Sequence, residues 1–270
     1  MGLGAVVSAY EVVMATCNGV VYLDQQILSI LEQTCQPARI LVADDGSTDG
    51  TLQCLQSWQQ RSSVPIDLLP NAAAERLGSC RNFERLLQAS TLPYVMLADQ
   101  DDIWDSDKAE RLLQKMHQLE RQHGSEHPLL VHADLRLMNA SGEVFVASFH
   151  RYQGLLPQRD ELLAIGLQNV VTGCASLVNR ACLHQALPFP PEVVLHDWWL
   201  ALVAARFGGL GYWPEPCLSY RQHGSNVVGA KGWHRQLQAR LAEVGSAKGD
   251  RKSTRLNSSH SSVSRMPSSA

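Results

Sequence analysis

The nonapeptide YVMLADQDD, residues 94–102, changes abruptly from apolar to acidic. Its first five residues are long enough for one strand, and a continuous apolar strand is typical of a parallel sheet that is covered on both faces. Three carboxylates, Asp99, Asp101 and Asp102, follow at its carboxyl end, where open α/β sheets bind their ligands. The segment therefore predicts a buried strand that ends in a ligand site.

Asp99 and Asp101 are two residues apart, so an extended chain directs both side chains to the same side. Two carboxylates this close repel each other unless a cation lies between them. Mg²⁺ typically takes one or two carboxylates together with substrate phosphates, so the pattern predicts a divalent cation that carries a diphosphate. The alternative is a solvated acidic loop that caps the next helix. We favour that alternative for Asp105 and Asp107, since Asp107 with Glu110 fits a capping box.

Strands and helices alternate through the first hundred residues, and each predicted strand ends in polar residues. The predicted strands are 11–16, 39–43, 64–69 and 94–98, and the predicted helices between them are 22–32, 51–60 and 78–89. This alternation predicts an α/β fold with a doubly wound, mostly parallel sheet. Neither a G-x-G-x-x-G fingerprint nor a P-loop is present, so metal and side chains must hold any phosphates.

Charge and cysteine content exclude some classes of protein. The chain has 23 basic and 26 acidic residues, and its last twenty residues hold four Lys or Arg and no Asp or Glu. Residues 1–250 are therefore 19 against 26, a net charge of −7, which argues against a nucleic-acid partner. The seven cysteines form no C-x-x-C pair and predict reduced thiols in the cytoplasm. No apolar run approaches the roughly 20 residues of a membrane helix.

The domain organisation is predicted from the change in composition near the C-terminus. Residues 1–230 are expected to form one body without a linker, and 231–250 contain a possible terminal helix. Residues 251–270 are rich in serine and poor in large apolar side chains. Such a segment cannot bury enough surface to fold, so we expect a disordered, non-native tail.

Six ordered motifs carry a resemblance to a known family. They are MATCNG at 14–19, ADDGSTDGT at 43–51, RLGSCRNF at 76–83, ADQDD at 98–102, HDWWL at 196–200 and YRQHGSN at 220–226. Together they resemble the inverting family 2 glycosyltransferases of the GT-A fold, especially the bacterial rhamnosyltransferase-like branch. Cys17 departs from the pattern, because the family usually has an aromatic residue there.

The resemblance covers about residues 11–230 and implies a Rossmann-like doubly wound sheet with a smaller antiparallel sheet on the acceptor side. The nucleotide-binding half would be about 11–104 and the acceptor-binding half about 105–230. It also implies a Mg²⁺ or Mn²⁺ cofactor, a dTDP- or UDP-linked sugar donor and a glycan or lipid-linked acceptor.

The resemblance also assigns the donor side of the site. The implied donor-binding residues are Thr16, Asn18, Asp44, Arg81, Asp99 and Asp101. Thr16 and Asn18 would lie near the nucleobase, and Asp44 would accept the imide N–H of uracil or thymine. Arg81 would lie over the ribose or diphosphate, Asp99 would contact the ribose, and Asp101 would hold the metal. For Asp44 a turn-and-cap role stays open, and for Arg81 a solvated helix face is nearly as well supported.

On the acceptor side the resemblance makes Asp197 the general base, which takes the acceptor proton as the hydroxyl attacks. The alternative is a helix N-cap, for which Asp is favoured. The implied acceptor-binding residues are Gly173, His196, Trp198 and Trp199, although at helical spacing at least one tryptophan should belong to the core. His223 would be a second metal or phosphate ligand, with polar surface as the alternative.

The function implied is transfer of a sugar, with L-rhamnose from dTDP as the leading case, in the synthesis of cell-surface polysaccharide. The expected location is the cytoplasm, with possible peripheral association at the inner face of the membrane. Two alternatives stay open. A sugar-nucleotide pyrophosphorylase would share the sheet but would need a G-x-G-T-R loop, which residues 14–19 lack. A non-catalytic nucleotide-sugar-binding subunit would not need an intact Asp197.

Overall fold

The computed structural model of the chain describes residues 9–70 and 76–223. The chain divides into two units, Met1–Arg221 and Gln222–Ala270, and the described residues belong almost entirely to the first. The helix and the tail predicted after residue 230 lie outside the described residues.

Nine strands form one sheet in the described part of the chain. They are β1 (Tyr10–Thr16), β2 (Arg39–Asp44), β3 (Ile66–Leu68), β4 (Tyr94–Ala98), β5 (Ile103–Trp104), β6 (Leu129–Met138), β7 (Val144–Val146), β8 (Ser176–Asn179) and β9 (Gly209–Arg221). The α-helices described are α1 (Val20–Leu31), α2 (Thr51–Arg61), α3 (Ser79–Ala89), α4 (Lys108–His123), α5 (Phe149–Gln153), α6 (Leu162–Leu167), α7 (Arg180–Ala186) and α8 (His196–Phe207).

The strands lie in the order β3-β2-β1-β4-β8-β6-β9-β5, and β7 pairs with β6. Strand β1 is parallel to β2 and β4, and β2 is parallel to β3. Strand β8 runs antiparallel to both β4 and β6, and β9 joins β6 in parallel. The predicted α/β fold with a doubly wound sheet is confirmed, and the antiparallel strands of the second half continue the same sheet through β8.

The register of the parallel strands brings the predicted polar residues to one edge. Thr16 pairs with Asp44, and Met14 pairs with Ala98, the last residue of β4. Because β1, β2 and β4 run in the same direction, the loops that follow them lie next to one another. The acidic residues after β4 therefore meet the loops after β1 and β2 at this edge.

Helices α3, α7 and α8 cover one face of the sheet and share an apolar core with it. The core includes Val13 and Leu97 from the sheet, Phe83 from α3, Leu183 from α7 and Leu200 from α8, all completely or almost completely buried. All five residues of β4 are buried, as the apolar run predicts. Truncating a core side chain of this kind to alanine typically costs about 2–5 kcal/mol, so this core holds the site in place.

The start of α4 differs from the predicted capping box. Asp107 occupies the N-cap position, but its side chain makes no capping bond to the helix. Its carboxylate instead forms an ion pair of 2.6 Å with Arg111, one turn later. The Glu110 carboxylate accepts from Thr34 at 3.1 Å. The capping-box prediction is wrong because both acidic side chains have other partners.

Three elements after β4 were not predicted, the short strand β5 and the helices α5 and α7. The end of β6 forms a hairpin with β7. Among the residues described, no helix is both long and apolar enough to cross a membrane. The longest helix described, α4, has 16 residues, and its outer face is charged.

Candidate active site

Thr16 and Asp44 lie side by side at the carboxyl ends of β1 and β2. The Thr16 hydroxyl donates to Asp44 Oδ1 at 2.9 Å, and the Ser47 hydroxyl donates to the same oxygen at 2.6 Å. The Ser47 amide donates to Asp44 Oδ2 at 2.8 Å. A carboxylate offers about four acceptor positions, so the buried Asp44 retains roughly one for a ligand. Asp44 therefore stabilises the turn after β2, as the alternative predicted, and it can still accept a hydrogen bond from one further donor.

Asn18 shapes the loop between β1 and α1. Its backbone has a φ of +50°, a conformation that Asn adopts more readily than most residues. Its amide donates to Ser47 Oγ at 2.7 Å, and its Oδ1 accepts from the Thr48 amide at 2.8 Å. These bonds join the loops that follow β1 and β2 at the predicted nucleobase end of the site.

Gln100 connects the acidic loop after β4 to the end of β1. Its side chain accepts from the Cys17 amide at 2.7 Å and donates to the Cys17 carbonyl at 3.0 Å. A Cβ on Gly19 would lie 2.2 Å from Gln100 Oε1, so glycine permits this close approach. Sequence reasoning missed Gln100, although its place between two functional carboxylates was an available signal.

Asp45 and Arg81 both hold α3 in position. The Asp45 carboxylate accepts from the amides of Leu77 and Gly78 at 2.7 and 2.9 Å. The Arg81 guanidinium, which was predicted to contact the donor, forms a 2.7 Å ion pair with Glu84.

Arg81 also donates to the carbonyls of Pro190 and Pro191 at 2.9 and 3.0 Å. These bonds join α3 to the proline-containing segment that precedes α8. The contacts give Arg81 a structural role, because both of its terminal guanidinium nitrogens already have acceptors in the protein. They lend no support to the donor-binding role predicted for it.

The three carboxylates after β4 differ in exposure. Asp99 is partly exposed, Asp101 is 7% exposed, and Asp102 is completely buried. Asp102 Oδ1 accepts from the Arg221 amide at 3.2 Å, and the Arg221 guanidinium donates to the Asp101 carbonyl at 2.9 Å. Strand β9 therefore covers the acidic loop. Asp102 Oδ2 is buried without a hydrogen-bond partner among the residues that the structure describes.

Desolvation and mutual repulsion raise the pKa of two of these carboxyls. The pKa of Asp99 rises to about 7, because its surroundings desolvate it and the charges of Asp101 and Asp197 repel its own. The pKa of Asp102 rises well above its ordinary range through burial and then through Asp101 and Asp99. A cation nearby would stabilise the charged forms of both carboxyls, so this pocket favours the binding of a cation.

Asp99, Asp102 and Cys174 each bring one potential metal-ligand atom within 4.8 Å of the others. Carboxylate oxygens suit Mg²⁺ and Mn²⁺, whereas a thiolate suits softer cations. The unpartnered Asp102 Oδ2 adds a buried oxygen that lacks a donor. The residues therefore fit a divalent cation, but the group gathered here contains Asp102 and Cys174 and does not contain Asp101. Cys174 was not predicted, since an isolated cysteine carries no sequence signal for this position.

The second predicted metal ligand, His223, belongs to the second unit of the chain. The described part of that unit consists of Gln222 and His223. The predicted role of His223 in binding metal or phosphate stays a prediction.

Asp197 lies in the first turn of α8, and its carboxylate is held by three donors. Oδ2 accepts from the Gly173 amide at 3.1 Å, and Oδ1 accepts from the Trp198 amide at 2.6 Å and from Asn169 Nδ2 at 3.4 Å. The N-cap position is Leu195, so Asp197 is not the N-cap residue itself. Its charge contributes, after burial and Asp101, to the raised pKa of Asp99. The structure thus brings together two predicted residues from distant parts of the chain.

His196 and Gly173 pack tightly beside Asp197. The His196 ring stacks on Phe83 with 4.0 Å between ring centroids and 24° between ring planes. A Cβ on Gly173 would lie 2.7 Å from His196 Nε2. Burial lowers the pKa of His196, which favours a neutral ring at this position.

Trp198 and Trp199 are partly buried and pack against the core described above. Trp198 Nε1 donates to the Ile165 carbonyl at 2.7 Å, and Trp199 Nε1 donates to the Ala186 carbonyl at 3.0 Å. Both indole groups therefore support α6 and α7. Neither tryptophan is fully buried in the core, so the expectation that one of them belongs to it stays a prediction, as does the acceptor-binding role of the faces that remain exposed.

The sequence profile of the family described as glycosyl transferase family 2 matches residues 11–123. The chain is 27% identical over 228 residues to a dTDP-rhamnosyl transferase, RfbG, of Shigella flexneri, which covers 80% of this chain and 74% of that protein. The matched residues include the ends of β1, β2 and β4, where the acidic motifs lie.

Solved structures with the same fold include two with a bound nucleotide sugar. One is the mannosyltransferase PcManGT of Pyrobaculum calidifontis in complex with GDP-Man and Mn²⁺, with a TM-score of 0.59, 16% identity and coverage of 80% of this chain and 58% of that chain. The other is S. aureus TarS 1–349 in complex with UDP-GlcNAc, with a TM-score of 0.55, 16% identity and coverage of 81% and 60%. The chain thus spans about 60% of the length of these structures. At 16% identity, the similarity to these two structures establishes a shared fold only.

Proposed function

We propose that this chain, a glycosyltransferase of family 2, transfers a sugar from a pyrimidine nucleoside diphosphate to a glycan or lipid-linked acceptor, with inversion at the anomeric carbon. The observation that carries this proposal is that Asp197 is bonded to the amide of Gly173, while the next residue, Cys174, lies within 4.8 Å of the carboxylates of Asp99 and Asp102. Asp197 keeps partial exposure and is oriented by three donors, and its charge adds to the burial and the Asp101 charge that raise the pKa of Asp99. A positioned carboxylate beside an acidic, cation-binding pocket suits transfer from a diphosphate donor.

The donor side of this proposal rests on Asp44 and its neighbours. Asp44 retains about one acceptor position after its bonds to Thr16 and Ser47. The imide N–H of uracil or thymine is a donor that would fill this position, whereas adenine has no ring N–H on its pairing edge and guanine carries its ring N–H on a larger purine. L-Rhamnose carried by dTDP is the leading donor, since the relative with 74% coverage is a dTDP-rhamnosyl transferase.

The chemical step is a displacement in which Asp197 acts as the general base. The acceptor hydroxyl oxygen forms a bond to the anomeric carbon while Asp197 takes its proton. The bond between that carbon and the diphosphate oxygen breaks, and its electron pair leaves with the nucleoside diphosphate. Positioned bases contribute roughly 10²–10⁴-fold to rate. The amide of Gly173 and the side chain of Asn169 hold the base in its orientation.

The acidic loop would hold a divalent cation, Mg²⁺ or Mn²⁺. Asp99 and Asp102 would supply oxygen ligands close to Cys174, and the carboxylate of Asp101 in the same loop would be a further ligand. When bound, such a cation neutralises the charge of the diphosphate. The proposed location is the cytoplasm, with peripheral association at the inner face of the membrane for a lipid-linked acceptor. The seven cysteines are all free thiols, which supports a reducing compartment.

A thermal-shift panel with UDP, dTDP and GDP, each with and without Mn²⁺, tests the donor class. At a ligand concentration 100-fold above Kd, the expected stabilisation is about 2.7 kcal/mol. Pyrimidine nucleotides should stabilise the protein in the presence of Mn²⁺, and GDP should not. Equal shifts with UDP and GDP would contradict the pyrimidine preference.

Sugar transfer is then measured with dTDP-rhamnose and UDP-sugars, using slow donor hydrolysis as the readout where the acceptor is unidentified. NMR of the product reports the anomeric configuration. Product with retained configuration would reject the displacement with Asp197 as base.

A further inference from the structure

We propose that Lys108 is a built-in cation of the acidic site, whose buried ammonium offsets the charge of Asp102 and Asp99 and thereby sets how tightly the site binds a divalent cation. This inference rests on the divalent cation of the proposed function. Lys108 is the first residue of α4 and is completely buried. An ammonium taken out of water is costly unless opposite charges or strong acceptors surround it.

The contacts of Lys108 place its ammonium at the acidic pocket. Its Nζ donates to the Cys174 carbonyl at 2.6 Å and lies 3.1 Å from the centroid of the Trp104 ring. Cys174 is the same residue whose Sγ lies within 4.8 Å of the carboxylate oxygens of Asp99 and Asp102. Cys174 therefore lies between the Lys108 ammonium and the two carboxylates.

Electrostatics show that the charges act on one another. Burial lowers the pKa of Lys108 to about 8, while the thiols of Cys217 and Cys174 and then the carboxyls of Asp102 and Asp99 raise it. In return, Lys108 lowers the otherwise raised pKa of Asp99. The carboxylates and the ammonium thus stabilise each other's charged forms.

The stability of α4 does not explain a lysine at its first position. The N-terminus of a helix carries a partial positive charge, so a cation in the first turn is unfavourable there. Lys108 nevertheless starts α4, and its side chain turns inward, to Cys174 and Trp104. The acidic pocket supplies the opposite charge that this placement requires.

Asp102 shows that the pocket is not fully neutralised by Lys108. Asp102 Oδ1 accepts from the Arg221 amide, and its buried Oδ2 has no hydrogen-bond partner in the described part of the chain. No ion pair of 4.0 Å or less between Lys108 and an acidic side chain occurs in residues 9–70 and 76–223. The ammonium therefore reduces the negative potential of the pocket without filling it, which leaves an oxygen position for a divalent cation.

The test is a set of Mn²⁺ titrations followed by the EPR signal of free Mn²⁺, with no nucleotide present. Lys108→Gln removes the charge but keeps a donor for the Cys174 carbonyl, so it should bind Mn²⁺ roughly tenfold more tightly than wild type. Asp102→Asn should bind it roughly tenfold more weakly. The double variant should return to within about threefold of wild type, because the two charges cancel. Unchanged or weaker binding by Lys108→Gln overturns the proposal.

Cys174→Ser separates this proposal from a thiolate site. It retains the carbonyl that binds Lys108, so Mn²⁺ affinity should stay within about threefold of wild type if Cys174 acts through its backbone. If the thiol is the dominant ligand, this variant loses Mn²⁺ and the double variant stays weak, which overturns the role of charge balance.

Thermal melts in EDTA test the charge coupling between Lys108 and Asp102 without bound metal. Lys108→Gln should melt below wild type, and the added Asp102→Asn should recover part of the loss, since the pocket then holds one negative charge fewer. The coupling is overturned if Lys108→Gln lowers the melting temperature equally in the wild-type and the Asp102→Asn protein. It is also overturned if the Lys108→Gln protein is as stable as wild type.

If wild type binds no Mn²⁺, the metal of the proposed function fails, while these melts still test Lys108. If Lys108→Gln alone does not fold, a folded double variant supports the coupling, and an unfolded one overturns it.

Discussion

The Gly173 amide donates a hydrogen bond of 3.1 Å to Asp197 Oδ2, although 24 residues separate them in the chain. The bond joins the turn before β8 to the first turn of α8 and orients the proposed base. It forms because Gly173 has no side chain, since a Cβ there would lie 2.7 Å from His196 Nε2 and 3.5 Å from Asp197 Cβ.

Gly173→Ala should therefore lower kcat with little change in donor affinity. The added methyl displaces His196 and tilts Asp197, and misplacing a catalytic group by about 1 Å can cost roughly 10²-fold in rate. The measurement is transfer or donor hydrolysis, beside calorimetric donor binding. Gly166→Ala in α6 is the matched control, because no atom lies within 4 Å of its Cβ. Wild-type kcat in Gly173→Ala would show that this contact does not orient the base.

Asp197→Asn should keep the fold and donor affinity but reduce kcat and kcat/KM together by roughly 10²–10⁴-fold. The amide oxygen of asparagine can still accept from the Gly173 amide, whereas it cannot take a proton at neutral pH. Asp160→Asn makes the same chemical change at an exposed position and should leave the rate unchanged. An Asp197→Asn protein that transfers at the wild-type rate would remove Asp197 from the mechanism. Early melting with lost donor binding would make it structural.

Asp101→Asn should weaken donor binding in Mn²⁺ and leave binding without metal nearly unchanged. The variant removes one negative charge beside a diphosphate that needs a cation for neutralisation. Calorimetric titration of UDP or dTDP with Mn²⁺ and with EDTA measures the difference. Asp107→Asn is the control, since its carboxylate pairs with Arg111 at the surface, where such pairs contribute little. Identical Mn²⁺-dependent affinities for wild type and Asp101→Asn would argue against a metal role for Asp101.

Stability should fall as the pH falls below about 6.5, because His132 is buried on β6. Burial lowers its folded-state pKa to about 3, while the unfolded value is about 6.5. Between these two pH values the unfolded state binds more protons than the folded state. The stabilisation from neutral His132 is therefore complete above pH 6.5 and is lost progressively as the pH falls to 3. From pH 7 to pH 5 the free energy of unfolding should drop by about 2 kcal/mol from this group.

Urea unfolding at pH 7 and pH 5 checks the prediction for His132. His132→Phe removes the titrating group, and the buried His132 Nδ1 has no hydrogen-bond partner to lose among the described residues. The pH-dependent loss should shrink by about 2 kcal/mol in this variant, whereas His184→Gln, at an exposed position of α7, should keep the full loss. An equal pH dependence in wild type and His132→Phe would contradict the assignment.

Local patterns in the sequence were sufficient for the elements that build the donor side. The apolar run 94–98 predicts β4 because burial on both faces of a parallel sheet requires apolar residues throughout. The ends of β1 and β2 were predicted within about one residue for the same reason. The family resemblance assigned Thr16 and Asp44 each to the donor side, and parallel pairing brings them into register.

Long-range packing decided the rest. Lys108 reaches Cys174 across 66 residues, and Arg221 reaches Asp102 across 119. Neither spacing follows from a local period of two or 3.6 residues, so no pattern could predict these contacts. Arg81 was assigned to the donor, but the fold brings Pro190 and Pro191 within reach of its guanidinium.

The sequence by itself determined which side chains are acidic, apolar or small, and at which strand ends they lie, because these properties depend on neighbours in the chain. Only the tertiary structure decided which of them meet. Asp197 bonds to Gly173, next to the Cys174 that meets Asp99, because β8 extends the sheet next to β4 and α8 packs on α3. That arrangement follows from burial of the shared core, which is a property of the whole fold.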